Sequence, residues 1–493
     1  MKNTRITILK NAFSLFGAQL ITWTVTLLVT VIVPRYLGPT LSGQLIIGYA
    51  IWAVVVLMTE FGMDTAIVKE VARTPDITPN VLSTTLVLRL IFFVIGCGLV
   101  AIYTYGVGYS AEVIEIIFLI GIAQFLLLLG GACRSVLEGI ESMQSIALVD
   151  IITKAIHMVL AIAAVLLGYG LRAFVFVAII VALVYLIIML FAVLRRFPLM
   201  FQTNMASAVA LLQQSLPYLF SKAALGLYAI IDIWLISHLL DAQAVGWYGA
   251  AGKLFATSLF IPTIFMTVLF PALARLHTTD PEKLVQIIRR GFDMLLLVSV
   301  PVGLGLFIVG RPVMELLYGP KYAPGGPILS IMGIVAIFTY LNALFGRYMF
   351  AIDRQRSWVK VMLGAALLKI PLGLLFIPWF QELSGNGASG AAFSNIFTEG
   401  FMTIIGISLM PKGTFTSENI ATNAKIIVSG ILMAAVVWLF YDLFVLVPVM
   451  VGVIVYTALV LVLRIIPEED LKLIGQFRQS LLRKFRRNAP HTV

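Results

Sequence analysis

The 493-residue chain predicts an all-α polytopic membrane protein of about 14 transmembrane helices. Three observations predict it. Hydrophobic residues make up 61% of the chain and charged residues 12%, whereas charged residues are about a quarter of a soluble domain. Apolar stretches long enough to cross the hydrocarbon core, about 20 residues each, recur from Ala12 to Ile465. Lys and Arg fall almost wholly in alternate connections between those stretches.

The spans read in order as 12 to 34, 44 to 66, 81 to 105, 113 to 133, 144 to 168, 172 to 194, 212 to 239, 246 to 272, 291 to 310, 326 to 350, 358 to 380, 388 to 410, 424 to 441 and 443 to 465. Only Asp442 and its neighbours separate the last two, so thirteen spans would result from merging them. The basic start MKNTRITILKN runs into a long apolar stretch with no small-residue cleavage signature. That suits a first span better than a signal peptide.

With the N-terminus cytoplasmic, the even-numbered connections and both tails hold 24 of the 34 Lys and Arg. The odd-numbered connections hold four, Arg35, Arg172, Arg311 and Lys321, and six lie inside spans. This bias predicts cytoplasmic N- and C-termini. It also accounts for the net charge of +11 without nucleic acid as a partner. Cys97 and Cys133 both lie in apolar spans and read as packing residues, with neither a disulfide framework nor a metal site implied.

No connection exceeds about twenty residues, which leaves no room for a soluble catalytic domain. The segment from Arg275 to Arg290 and the tail from Glu468 onward both read as amphipathic surface helices suited to anionic lipid. The four histidines are scattered without an HExxH pair, and no GxxxxGK[ST] loop for ATP occurs. The expectation is a protein that is not an enzyme and has no cofactor or metal.

RYLGPTLSG follows span 1, and HLLDAQAVG follows span 7 at an offset of 203 residues, with Leu37 matching Leu240 and Gly43 matching Gly246. Two six-span halves fit this repeat, an N-lobe over 1–194 and a C-lobe over 212–410, joined by a cytoplasmic linker over 195–211. Spans 13 and 14 over 411–465 and a basic tail over 466–493 follow. Halves with an even number of spans share one orientation, and a transporter of that design places its site between them.

Four segments carry a family resemblance: RYLGPTLSG, EFGMDTAIVKEVAR from Glu60, SKAALGLYAIIDIWLISHLLDAQAVGWYGAAGKL from Ser221, and LLYGPKYAPGGPIL from Leu316. In this order they resemble the polysaccharide-transporter branch of the multidrug/oligosaccharidyl-lipid/polysaccharide (MOP) flippase superfamily. The resemblance implies a two-lobed bundle in the cytoplasmic membrane that flips a polyprenyl-diphosphate-linked oligosaccharide outward. It also implies membrane lipids as partners, with polysaccharide polymerase or chain-length machinery as candidate protein partners.

Charges inside spans are costly in lipid and should face water or a partner. The six cations are Arg89, Lys154, Lys222, Lys253, Arg347 and Lys369, and the acids include Asp150, Asp232 and Glu399. Asp150 and Lys154 share a helix face, with His157 nearly a turn further on. Asp232 with Lys253, and Lys369 with Glu399, lie at matching depths about their turns and could pair. Those pairings would leave Arg89, Lys222 and Arg347 free to meet a diphosphate, and all six cations are candidate substrate-binding groups. Asp150, His157, Asp232 and Glu399 are the candidates for coupling to a proton or sodium gradient. Pro217, Pro262, Pro301 and Pro371 are candidate kink positions, and Gly17 and Gly226 add local freedom.

A lipid II flippase fits the same plan. A drug/cation antiporter would favour an acidic cavity, which six intramembrane cations oppose. A membrane polysaccharide polymerase or ligase would need a larger outer loop or a concentrated acid and arginine site there.

Overall fold

The computed structural model describes residues 2–198 and 203–465. The expected amphipathic tail from Glu468 lies outside them. All the described elements are helical: α1 (Lys2–Glu60), α2 (Met63–Arg73), α3 (Thr78–Val107), α4 (Ala111–Gly139), α5 (Met143–Leu166), α6 (Leu171–Leu194), α7 (Met205–Leu239), α8 (Ala242–Ser258), α9 (Phe260–Thr279), α10 (Pro281–Tyr318), α11 (Gly325–Ala351), α12 (Gln355–Ser384), α13 (Gly387–Ser408), α14 (Ser417–Leu439) and α15 (Leu446–Val462). Short 3-10 turns occupy Pro75–Ile77 and Pro320–Tyr322.

Each predicted span falls on a helix or a broken pair of helices. Gly38 interrupts α1 at φ 79°, ψ 172°, which separates spans 1 and 2. Phe61 and Gly62, at φ 51° and 74°, break the chain again before α2. A left-handed backbone costs glycine nothing. Spans 13 and 14 are distinct helices, α14 and α15. Among the described residues, eleven segments are long and apolar enough to cross a membrane. Segment Leu28–Arg73 joins spans across Gly38, and α15 falls short at 17 residues. Helix α13 is absent from the eleven because Ser389, Ser394, Asn395, Thr398 and Glu399 dilute its apolar surface.

Two local expectations change. The linker predicted over 195–211 ends inside α7, because Asn204 caps that helix by accepting a 2.7 Å hydrogen bond from Ser207 N. The segment Arg275–Arg290 is not a separate surface helix. It forms the end of α9 and the start of α10, divided at Asp280, whose Oδ1 accepts from Lys283 N at 3.0 Å.

The described backbone packs as two compact units, one of residues 2–198, 203–257, 314–329 and 356–402, the other of 258–313, 330–355 and 403–465. This division differs from the lobes predicted over 1–194 and 212–410, since α7, α8 and most of α12 and α13 pack with the first half of the chain. In the first unit small residues set the approach of helices. A Cβ on Gly121 would lie 2.1 Å from the Trp52 ring, whose Nε1 donates to Ile117 O at 2.6 Å. Cys133 is buried beside Val136 and Leu137, while Cys97 is half-buried, and both thiols are free. In the second unit Gly303 and Gly333 meet so closely that a Cβ on Gly303 would stand 2.6 Å from Gly333 O. Close backbone approach of this kind binds helices where no hydrophobic effect separates protein from lipid.

Candidate functional site

The four segments that carry the resemblance meet in two places within the first unit. At one, Arg35 donates to Leu316 O at 2.9 Å and Leu317 O at 3.2 Å, and the Tyr322 hydroxyl donates to Pro34 O at 2.9 Å. Trp247 Nε1 donates to Lys321 O at 3.0 Å. Gly43 faces Ala242 and Gly246 with no room for a side chain. Each segment is loose alone because its residues serve partners hundreds of positions away.

The second place is the break between α1 and α2. Gly62 lies against α7, where a Cβ would stand 2.7 Å from both Ser215 O and Leu219 N. On either side of this break stand Glu60 and Asp64. Lys222 of α7 forms an ion pair with Glu60. Arg89 of α3, fully buried, holds Asp64 Oδ1 at 2.5 Å and donates to Leu128 O of α4. Ser135 of α4 donates to the same Asp64 oxygen at 2.9 Å. The Glu60 and Asp64 carboxyl groups also interact electrostatically with each other.

A second network is buried between α7, α8, α12 and α13. Asp232 Oδ2 accepts from Lys369 Nζ at 2.9 Å, from Asn395 Nδ2 at 3.0 Å and from the Tyr248 hydroxyl. Lys369 also donates to Tyr228 O at 3.1 Å and sits 4.2 Å from the centre of the Tyr228 ring. The Tyr228 hydroxyl donates to Glu399 Oε1 at 2.8 Å. Asp232 Oδ1 and Asn395 Oδ1 are buried without a donor among the described residues.

The third group is more accessible. Arg134 of α4 pairs with Glu138 at 2.9 Å and with Asp150 of α5 at 3.2 Å. Lys154, half-buried, interacts electrostatically with Asp150 and Arg134, and His157 with Lys253 of α8, which is exposed. Arg347 is exposed on α11.

The ion-pair pattern departs from the one read in the sequence. Asp150 pairs with Arg134 rather than Lys154, and Asp232 pairs with Lys369 rather than Lys253. Arg89 and Lys222, expected to stay free, have Asp64 and Glu60 as counter-ions. Sequence reasoning counted Arg134 with a connection, because it falls just past the predicted span 113 to 133, and did not single out Glu60 and Asp64 within the span 44 to 66. The polar stretch of EFGMD inside span 44 to 66 was the available signal. Tyr248, Tyr228 and Asn395 left none, since aromatic and amide residues are ordinary in helices.

Long apolar helices whose buried charges find counter-ions, Arg89 on Asp64 and Lys369 on Asp232, define a polytopic membrane protein with a polar interior. The chain belongs to the polysaccharide biosynthesis protein family, whose model matches residues 8–277. Two curated proteins are similar. A probable low-salt glycan biosynthesis flippase of Haloferax volcanii is 19% identical over half of this chain and 52% of its own length. A teichuronic acid biosynthesis protein of Bacillus subtilis is 29% identical over 34% of this chain and 36% of its own. The chain thus spans about half, or less, of the curated relatives it matches. Among solved structures, the lipid II flippase MurJ in an inward closed conformation superposes with a TM-score of 0.73 at 14% identity, over 91% of this chain and 98% of that one. An inward-facing multidrug resistance MATE family transporter of the MOP superfamily gives 0.66 at 14% identity, over 82% and 95%. The fold is that of the MOP superfamily.

Proposed function

We propose that this protein is a flippase that moves a polyprenyl-diphosphate-linked oligosaccharide from the cytoplasmic to the outer leaflet. It works by alternating access, in the cytoplasmic membrane with both termini cytoplasmic. Family membership and the glycan-related names of its relatives support the substrate class. The observation that carries the reading is a surplus of cation on the accessible faces of α4, α5 and α8. Among the described residues, Arg134 pairs with Glu138 and Asp150, Lys154 interacts with the same Asp150, and Lys253 lies near His157. A cation exposed within the bilayer's depth needs water or an anion, and a diphosphate supplies the anion.

Accessibility sorts the six candidate cations. Lys154, Lys222, Lys253 and Arg347 have side chains a ligand can reach, whereas Arg89 and Lys369 are enclosed by their carboxylate partners and hold the walls in shape. Coupling to a proton or sodium gradient belongs to the same reading, with Asp150, His157, Asp232 and Glu399 as its groups. The donor-free oxygens of Asp232 and Asn395 favour the Asp232 network as the place for such an ion. Polymerase or chain-length machinery would receive the flipped product.

The test is flipping of a fluorescent polyprenyl-diphosphate oligosaccharide in proteoliposomes. Lys154→Gln and Lys253→Gln should each slow it about tenfold, the loss of one charge-assisted contact, with helix content unchanged. Wild-type rates in both would overturn the assignment. Rates unaffected by collapsing both gradients would remove the coupling.

A further inference from the structure

The two cations at the α1/α2 break are held very differently. Arg89 is fully buried, with one nitrogen on Asp64 and another on Leu128 O, so its position is fixed from two sides. The Lys222 side chain is 37% exposed and pairs with Glu60, whose own side chain is 16% exposed. Asp64 therefore has a permanent counter-ion and Glu60 an exchangeable one.

The two carboxyl groups also lie near enough to interact electrostatically. Two ionised carboxylates that close repel, so each depends on its own cation to stay charged. With Lys222 in place the cluster is neutral, two carboxylates against two cations. If an anion draws Lys222 away, Glu60 is left beside the Asp64 carboxylate with no cation of its own.

We infer that Lys222 exchanges Glu60 for a phosphate oxygen of the lipid-linked substrate, and that Glu60 then takes up a proton and shares it with Asp64, so that loading the anion is linked to protonation of this carboxyl pair. This rests on the diphosphate reading above and adds to it the site of linkage. The step balances. One proton from a buffer acid forms an O–H bond on Glu60, that hydroxyl donates to Asp64, and the negative charge gained at Lys222 offsets the one lost at Glu60. The groups facing the pair are Arg89 from α3, Ser135 from α4, Tyr185 from α6 and Lys222 from α7. All are neutral or cationic, so the pair itself is where the proton is taken. Gly62 and Phe61 give the location mechanical meaning, because the two carboxyls straddle a left-handed break packed directly on the α7 backbone.

The experiment is calorimetric titration of the full-length protein in detergent with farnesyl diphosphate as the probe. It is run in two buffers of different ionisation enthalpy at a pH where the probe is fully ionised. Net proton uptake on binding is expected for the wild type. Glu60→Gln, which frees Lys222 from its competitor, should bind about tenfold tighter with no uptake if Lys222 is free about a tenth of the time in the wild type. Lys222→Gln should bind more weakly and also lose the uptake, and it serves if Glu60→Gln fails to fold. Wild-type binding without proton uptake, or uptake that persists in either variant, overturns the linkage while leaving the diphosphate reading intact. No binding by the wild type overturns both.

Discussion

Gly43 and Gly246 pack backbone to backbone: a Cβ on Gly43 would lie 1.6 Å from the Ala242 carbonyl oxygen, and one on Gly246 would lie 1.9 Å from that of Pro39. The two glycines are also counterparts in the sequence repeat, 203 residues apart. A repeat that places a glycine near the start of each helical segment, after Gly38 in α1 and in α8, brings the two helix starts together without side chains between them.

Gly43→Ala and Gly246→Ala should therefore open this contact rather than fill it. Overpacking costs about 1–3 kcal/mol, enough to shift a conformational equilibrium by roughly 5- to 150-fold. Cysteines placed at the two helix starts of a variant otherwise free of thiols should cross-link readily with both glycines present and poorly with either alanine. Equal cross-linking would show that the helix starts separate at no cost.

Asp64→Asn should lower stability more than its exposure suggests, because it leaves Arg89 buried with one neutral partner. Removing one member of a buried pair costs about 3–5 kcal/mol. Thermal unfolding in detergent should show a large loss for Asp64→Asn and a partial recovery for Asp64→Asn with Arg89→Met. A double variant no better than the single one would mean that Arg89 is held chiefly by Leu128 O.

The same logic applies to Lys369→Met, which strands Asp232 among Tyr248 and Asn395. Lys369→Met with Asp232→Asn should regain most of the lost stability. Tyr248→Phe, which removes one of three donors, should cost only about 0.5–1.5 kcal/mol. The ordering of the three midpoints is the measurement. A Tyr248→Phe loss as large as that of Lys369→Met would place the weight of the network on the hydroxyl.

Gly62→Ala meets two penalties at once, a left-handed φ of 74° and α7 backbone atoms 2.7 Å from the new carbon. The backbone term alone is roughly 1–2 kcal/mol for a residue with a Cβ. Lowered stability should be accompanied by a weaker Glu60–Lys222 linkage, read as reduced protection of Lys222 from amine-reactive reagent. Unchanged reactivity would separate the break from the ion pair.

The helices were legible from the sequence because partition into lipid is decided locally. Each stretch of apolar residues must satisfy its own backbone hydrogen bonds, whatever the rest of the chain does. The backbone breaks at Gly38 and at Phe61–Gly62 were not legible from the sequence, which places only a connection over 35 to 43 and runs a single span over 44 to 66 through EFGMD. The presence of Arg89, Lys222, Asp232 and Lys369 in the interior could be read, since a charge in lipid is a cost borne at that residue.

Their partners could not. Lys222 finds Glu60 across 162 residues, and Asp232 chooses Lys369 over a lysine at matching depth on the adjoining helix. Depth follows from counting residues at ~1.5 Å each, but pairing depends on how each helix is rotated about its axis and which neighbour it packs against. That rotation is set by side-chain and glycine contacts such as Gly62 on α7 and Gly43 on Gly246, which exist only once the chain has folded. The sequence by itself determined a polytopic helical bundle with charge in its interior. The tertiary structure decided which of those charges are locked to one another, Arg89 to Asp64 and Lys369 to Asp232, and which can still be exchanged.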